Sequence, residues 1–326
     1  MTGPVRPPVL AGAPFALALD LPADRGTPTA LQYLAATAEP WPGALAVWRS
    51  DGDGAPLALH RTADYPACLG RTLTALPPGP LWRLDRATRL DVTLRHAGAL
   101  SSIGLPAMLA GGNLFAVIAP DGTVEMVSAQ EAVLTGPETF RLGGLLRGLA
   151  GSEAGASRPA PAGSLIVRLD DGAVIPLVDR LDEAGRRFRY RIGPAARDPG
   201  DPAFVEVSAA AGLSALAPLS PVHLRARREP GGVRLSWIRR ARRDADGWEA
   251  ADIPLDEAVE AYAVTVFAPD GRGLRSLTAA GPSLLYADEA ADFGEPQAVL
   301  DVAVAQVGAA FEPGQVTRAR LPVGRP

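Results

Sequence analysis

The sequence predicts an all-β chain of tandem antiparallel β-sandwich units with few short helices, and three observations predict it. Tight-turn signals recur between short runs, those runs alternate apolar with polar residues, and 35 glycines and 32 prolines punctuate 326 residues. Alternation at period two buries one face of a strand. Glycine supplies the positive φ that a hairpin turn needs, and aspartate tolerates it. Glycine and proline together exceed the usual ~12% of a globular chain, yet stay below the level of low-complexity disorder.

The elements follow in order. The start, "MTGPVRPPVLAGAPF", lacks the charged opening and unbroken apolar core of a signal peptide, and Pro4 to Pro8 reads as a linker. "TALQYLAATA" (29–38) fits a helix or a strand. Five hairpins are then predicted. "ALAVWRS" and "APLALHRT" flank Asp51-Gly52-Asp53-Gly54, and "NLFAVIA" and "TVEMVSA" flank Pro120-Asp121-Gly122. "SLIVRL" and "AVIPLV" flank Asp170-Asp171-Gly172. "HLRARR" and "VRLSWIRR" flank Pro230-Gly231-Gly232, and "AYAVTVFA" and "GLRSLTA" flank Pro269-Asp270-Gly271. Leu142–Leu149 fits two helical turns, and "ASRPAPAG" (156–163) and "LAPLSPV" (216–222) read as breaks. The expected domains are a first β domain at 1–110, a second at 111–217 with a connector at 141–163, and a β-sandwich at 218–326.

Composition narrows the chemistry. Net charge is −4 and every one of the 32 basic residues is arginine, so a general nucleic-acid footprint is not expected. Cys68 stands alone, which leaves no internal disulfide. His60, His96 and His223 are far apart and lack metal-ligand spacing. No apolar run approaches the ~20 residues that span a bilayer.

The stretch "RLGGLLRGLAGSEAG" (141–155) offers Gly144-x3-Gly148-x2-Gly151-Ser152, but a Walker-type loop needs a lysine on the phosphates. "GSEAG" puts its serine in the wrong place for a nucleophile elbow, and Asp170-Asp171 is explained by its turn. A connector that packs leucines under tight backbone turns is the expected role of this stretch. No catalytic residue, metal or cofactor is expected, and the chain is read as not an enzyme. A carboxylate-pair glycosidase stays open, because such pairs are distant in sequence.

One charge cluster stands out. Arg225, Arg227, Arg228, Arg234, Arg239, Arg240, Arg242 and Arg243 fall together against Glu229. Alternation with Leu224, Ala226 and Leu235 places Arg225, Arg227 and Arg234 on the solvated face of a hairpin. Asp244, Asp246, Glu249 and Asp252 follow and partly neutralise the rest. "IRRARRDADGW" (238–248) is the candidate interaction loop, with Arg239, Arg240, Arg242, Arg243 and Trp248 as its contact residues, since tryptophan and arginine are favoured at interfaces.

From Pro221 onward the pattern resembles a fibronectin type III domain. Pro221 and Leu224 fit its first strand, and "VRLSW" (233–237) fits the second, with Trp237 as core tryptophan. "AYAVTVF" (261–267), "PQAVLDVAVA" (296–305) and "GQVTRARL" (314–321) fit later strands. The family's corner tyrosine falls on Leu300, so its hydroxyl is missing or supplied elsewhere.

The longer pattern is similar to phage tail-tip host-specificity proteins. "RLGGLLRGLAGSEAG" followed by "PAGSLIVRLDDGAVIPL" matches their "LLRG-x-x-G-[ST]-E" segment. "LQYLAATAEPWPGALAVWRSDGDG" (31–54) and "SPVHLRARREPGGVRLSWIRRARRDADGWEA" (220–250) resemble the C-terminal part of the gene transfer agent baseplate "megatron" proteins. This resemblance implies a virion or virus-like particle tail tip, assembled in the cytoplasm of a GC-rich bacterium. The implied partners are other baseplate and tail proteins, two further copies in a homotrimer, and a host outer-membrane receptor or surface glycan, with no sequence-specific nucleic acid. A rival reading is a β-sandwich carbohydrate-binding module or glycoside hydrolase acting on surface glycans, which would gather Trp41, Trp48, Trp82, Trp237 and Trp248 in one groove. A third, nucleic-acid binding by the arginine hairpin, predicts affinity that falls steeply with salt.

Overall fold

A computed structural model describes residues 12–22, 30–52, 54–242, 252–309 and 313–324. The structure is all-β, with three short α-helices among the described residues. Two compact units divide between Ala215 and Leu216, at the start of the break expected at 216–222.

The first unit is layered. Its strands are β1 (Phe15–Leu19), β2 (Gln32–Thr37), β3 (Leu45–Ser50), β4 (Ala58–Ala63), β5 (Leu69–Thr72) and β6 (Asp85–Arg95). After α1 (Leu105–Leu109) come β7 (Leu114–Ile118), β8 (Val124–Gly136) and β9 (Thr139–Leu149). After α2 (Glu153–Ala156) come β10 (Leu165–Arg168), β11 (Ile175–Val178), β12 (Arg187–Pro194) and β13 (Val205–Ala210).

Six of these strands close into an antiparallel barrel in the order β10-β5-β6-β9-β8-β7. Its interior is packed with apolar side chains, among them Leu90, Val92, Phe115, Val127, Phe140, Leu142 and Ile166. Closure needs strongly bent strands, and the long strands supply the bends. Register shifts fall between Asp85 and Arg89 on β6 and between Met126 and Ser128 on β8. Gly144 and Gly148 of the intervening β9 adopt positive φ, as bulged strands require.

The expected domain boundary at residue 110 falls inside this barrel, because β5 and β6 before it pair with strands that follow it. The stretch at 141–163 likewise does not connect two β domains. Arg141 to Leu149 belongs to β9, which pairs with β6 on one side and β8 on the other. The two helical turns expected at Leu142–Leu149 are strand, and helix is confined to Glu153–Ala156. The "ASRPAPAG" break is held to the barrel by a bridge from Ala160 to Leu76.

A three-stranded sheet, β1-β2-β11, lies on the barrel. Leu19 and Ala35 pack with Leu69, Ala116, Met126 and Val167 of the barrel's outer face. Its other face meets the four-stranded sheet β13-β12-β3-β4, where the Tyr190 hydroxyl donates to Gln32 Oε1 at 2.7 Å. Burial on both faces makes Leu34, Ala35 and Ala36 all inaccessible. That is why "TALQYLAATA" carries no alternation to separate strand from helix.

Four of the five predicted turns join paired strands: β3–β4, β7–β8 and the two in the second unit. The Asp170-Asp171-Gly172 turn does not. β10 pairs within the barrel, and β11 pairs with β2 in the next sheet. Turn chemistry specifies the reversal of the chain but not the strand with which the outgoing segment pairs.

The second unit contains β14 (Val222–Glu229), β15 (Gly232–Ile238), β16 (Tyr262–Phe267), β17 (Gly273–Ala279), β18 (Ser283–Tyr286), α3 (Glu289–Phe293), β19 (Val299–Gln306) and β20 (Val316–Gly324). The strand order β17-β16-β19-β20-β14-β15-β18 gives the four-plus-three arrangement of a fibronectin type III-like sandwich. A short parallel ladder joins β14 to β20. Between the two halves Trp237 stands edge-on to Tyr262, ring centroids 5.0 Å apart, among Val233, Val264, Val302 and Val304. Leu300 fills the corner-tyrosine position as an apolar core residue. The hydroxyl arrives from the preceding strand, where Tyr286 donates to Asp292 Oδ2 at 2.7 Å.

Candidate functional site

The candidate interaction loop begins at the end of β15, where the chain leaves the sheet beside several acids. Arg239 Nη2 lies 2.8 Å from Asp252 Oδ2, its Nη1 lies 3.2 Å from Glu260 Oε1, and it also donates to the Ile253 carbonyl. Arg242 Nη2 pairs with Glu257 Oε1 at 2.9 Å and Nη1 donates to the Leu216 carbonyl at 2.6 Å. Their side chains are 14% and 11% exposed, too enclosed to meet a partner directly. Arg240 Nη1 lies 3.4 Å from the Ser220 hydroxyl. Arg243 and Trp248 lie outside the described residues. Upstream, Arg228 is bidentate to Glu289 and Arg234 pairs with Glu229. Arg225 and Arg227 point outward, exposed, between Leu224 and Ala226. Around Arg239 and Arg242 the cluster braces the unit.

The glycine-rich stretch is also bracing. Arg147 projects from β9 with a fully buried side chain, and its Nε and Nη2 meet both oxygens of Glu125 at 2.5 and 2.8 Å. Nη2 also donates to the Pro77 carbonyl at 2.9 Å, and Nη1 lies 3.6 Å from Asp85. Burial pushes the Asp85 carboxyl up, but donors from Thr88 and Ala87 and the Arg147 charge bring it below the ordinary range. Gly148, at φ +61°, turns the strand so that its N–H reaches Glu125 Oε1 at 3.3 Å. The Ser152 hydroxyl accepts from the Met126 N–H at 2.8 Å and donates to the Leu149 carbonyl at 2.7 Å. Gly155 lets α2 lie against the Val124 carbonyl, where a Cβ would collide. A recess beside this network is lined by Thr123, Glu125, Gly155 and Arg158, and Glu125 is already committed to Arg147.

His60 Nε2 lies 2.6 Å from the Leu177 carbonyl, and burial holds its imidazole below the ordinary value. Among the described residues no three metal-ligating side chains come together, and no helix is long and apolar enough to cross a membrane.

Sequence reasoning missed the outer face of the sheet β13-β12-β3-β4. Along β12, Phe188, Tyr190 and Ile192 point into the unit, while Arg187, Arg189 and Arg191 alternate with them on the opposite face. Trp48 stands across from Arg191 and Ser50 across from Arg189 on β3, and Leu59 of β4 stands across from Trp48. On the other side Glu206 faces Arg191 and Ser208 faces Arg189. The signal was present in "RFRYRI", but its neighbours lie some 140 positions upstream in sequence, so alternation alone does not reveal the assembled face.

The fold thus defines a barrel-centred β unit followed by a fibronectin type III-like sandwich. Residues 67–167 match the family described as Rcc01698-like, C-terminal, a span that coincides with the barrel strands from Leu69 to Arg168. Among solved structures, the crystal structure of chicken CNTN1 FN1-FN3 domains covers 96% of this chain and 99% of that chain, at 10% identity and a TM-score of 0.22. No curated relative matches the chain.

Proposed function

We propose that the chain is a structural and host-attachment component of the tail tip or baseplate of a phage-like particle of the gene transfer agent type. It helps to build the tip, in three copies and with other tail proteins, and contacts the host envelope. One observation carries the reading. The motif on which the tail-tip resemblance rests is used throughout as construction: Arg147 locks β9 to β8, Gly148 bends it, and Ser152 and Gly155 seat α2. The place of one tryptophan supports it as well. Trp237 is buried in the sandwich core against Tyr262, so it cannot line an open sugar-binding groove.

Immunogold electron microscopy of particles carrying a tagged chain tests this reading. Label is expected at the distal end of the tail. Label on capsids, or recovery of the chain only outside the particle fraction, overturns it.

A further inference from the structure

We infer that the outer face of β13-β12-β3-β4 is a binding surface for an acidic polysaccharide, with Arg187, Arg189 and Arg191 as its cationic row. The inference rests on the host-contact part of the function proposed above and gives that contact a place and a chemistry. The three arginines follow every second position of one strand, so their Cα atoms are about 7 Å apart along a straight line. That geometry suits a chain with an acid on successive repeats better than a single small anion.

The row is unpartnered. Most arginines discussed above are committed to carboxylates, but none of these three forms an ion pair or donates a side-chain hydrogen bond among the described residues. Nε of Arg189, Nε of Arg191 and Nε1 of Trp48 are each shut off from solvent with no acceptor. The Nη atoms of Arg189 and Arg191 are not among these enclosed donors, so the outer nitrogens of the two forks are the ones a ligand on this face can reach. The exposed Glu206 is the acid that stands across from the row, and it makes no ion pair with Arg191.

The apolar neighbours favour sugar over nucleic acid. Stacking of bases needs open aromatic faces. Here Trp48 is half-buried and Phe204 is buried against Gly193, leaving aliphatic Leu59 as the exposed apolar group. A sugar ring can lie on such a surface while its carboxylate takes the guanidinium fork.

The test uses the full chain and polygalacturonate as probe, measured by calorimetry at two salt concentrations. Binding is expected to weaken with salt, and R187Q/R189Q/R191Q is expected to lose about tenfold or more in affinity. R225Q/R227Q/R320Q removes the same charge from the second unit and is expected to bind as the parent does. Arg187 is the exposed member of the row, so R187Q alone serves if the triple variant fails to fold, with an expected loss of about threefold. The surface is overturned if the parent does not bind, if the control triple loses as much as the β12 triple, or if oligo-dT or anionic vesicles bind more tightly than polygalacturonate. Polygalacturonate binding by a chain absent from the particles would sink the tail-tip reading and leave the surface standing. The reverse result would sink the surface alone.

Discussion

At the residue scale, the decisive groups are those that burial forces into partnership. Arg147 can be buried only because Glu125 matches its fork and Pro77 adds a carbonyl. Removing one member of such a pair strands the other charge in a dry interior, which typically costs about 3–5 kcal/mol. Arg147→Ala is therefore expected to lower unfolding stability by that order in urea titrations, whereas the double replacement Arg147→Met with Glu125→Leu is expected to cost less than the single one. A double variant as unstable as the single would show that the charges themselves hold the barrel. Cys68 makes a second case. Its thiol lies inside the barrel with no exposed surface, and burial pushes its pKa up to about 12. Since the thiolate is the reactive form, Cys68 is expected to stay unlabelled by Ellman's reagent at pH 8 in the native chain and to react at once in denaturant. Its isolation was plain from the sequence, but its place inside a barrel was not.

At the element scale, legibility followed the number of faces a strand buries. β14 to β17 each keep a wetter side, so period-two alternation and turn glycines marked their positions in the sequence. β2 is covered on both sides, and β9 carries glycines that bend it, so neither displayed the pattern of a half-buried strand. The bracing of Arg239 and Arg242 was hidden for another reason: Glu257 and Glu260 approach them only after the chain has folded back. The corner of the second unit offers a pH test. Asp292 accepts from Arg275 at 2.7 Å through each oxygen and from Tyr286 at 2.7 Å. The Arg275 bonds first, and then the Tyr286 bond, hold its pKa down to about 2. A carboxylate depressed in the folded state stabilises fully above its unfolded value of ~3.9, and that contribution is lost as pH falls toward 2. Asp292→Asn is expected to cost about 1 kcal/mol at pH 7 and to flatten the loss of stability between pH 4 and pH 2. An acid limb with the parent's slope would show that Asp292 does not set it.

At the scale of the whole molecule, each unit owns a core: the barrel interior in one, the Trp237–Tyr262 sandwich in the other. Scanning calorimetry is expected to show two transitions, with Arg147→Ala moving one and Asp292→Asn the other. A single transition shifted by both variants would mean that the chain melts as one body. The break after Ala215 was legible because prolines and small residues interrupt the strand pattern there. The unity of residues before and after 110 was not, since barrel closure depends on pairings between strands far apart in the chain.

The parallel ladder between β14 and β20 bears on mechanics. Ala226 lies beside Val323 and Arg227 beside Gly324, so the strand that opens the sandwich and the strand that closes it run the same way. Tension on the two ends would drag these neighbours past each other, loading their hydrogen bonds together instead of peeling them in turn. In the host-attachment role proposed above, such a link would serve a chain under load, because resistance to forced rupture is set by how slowly such a joint gives way.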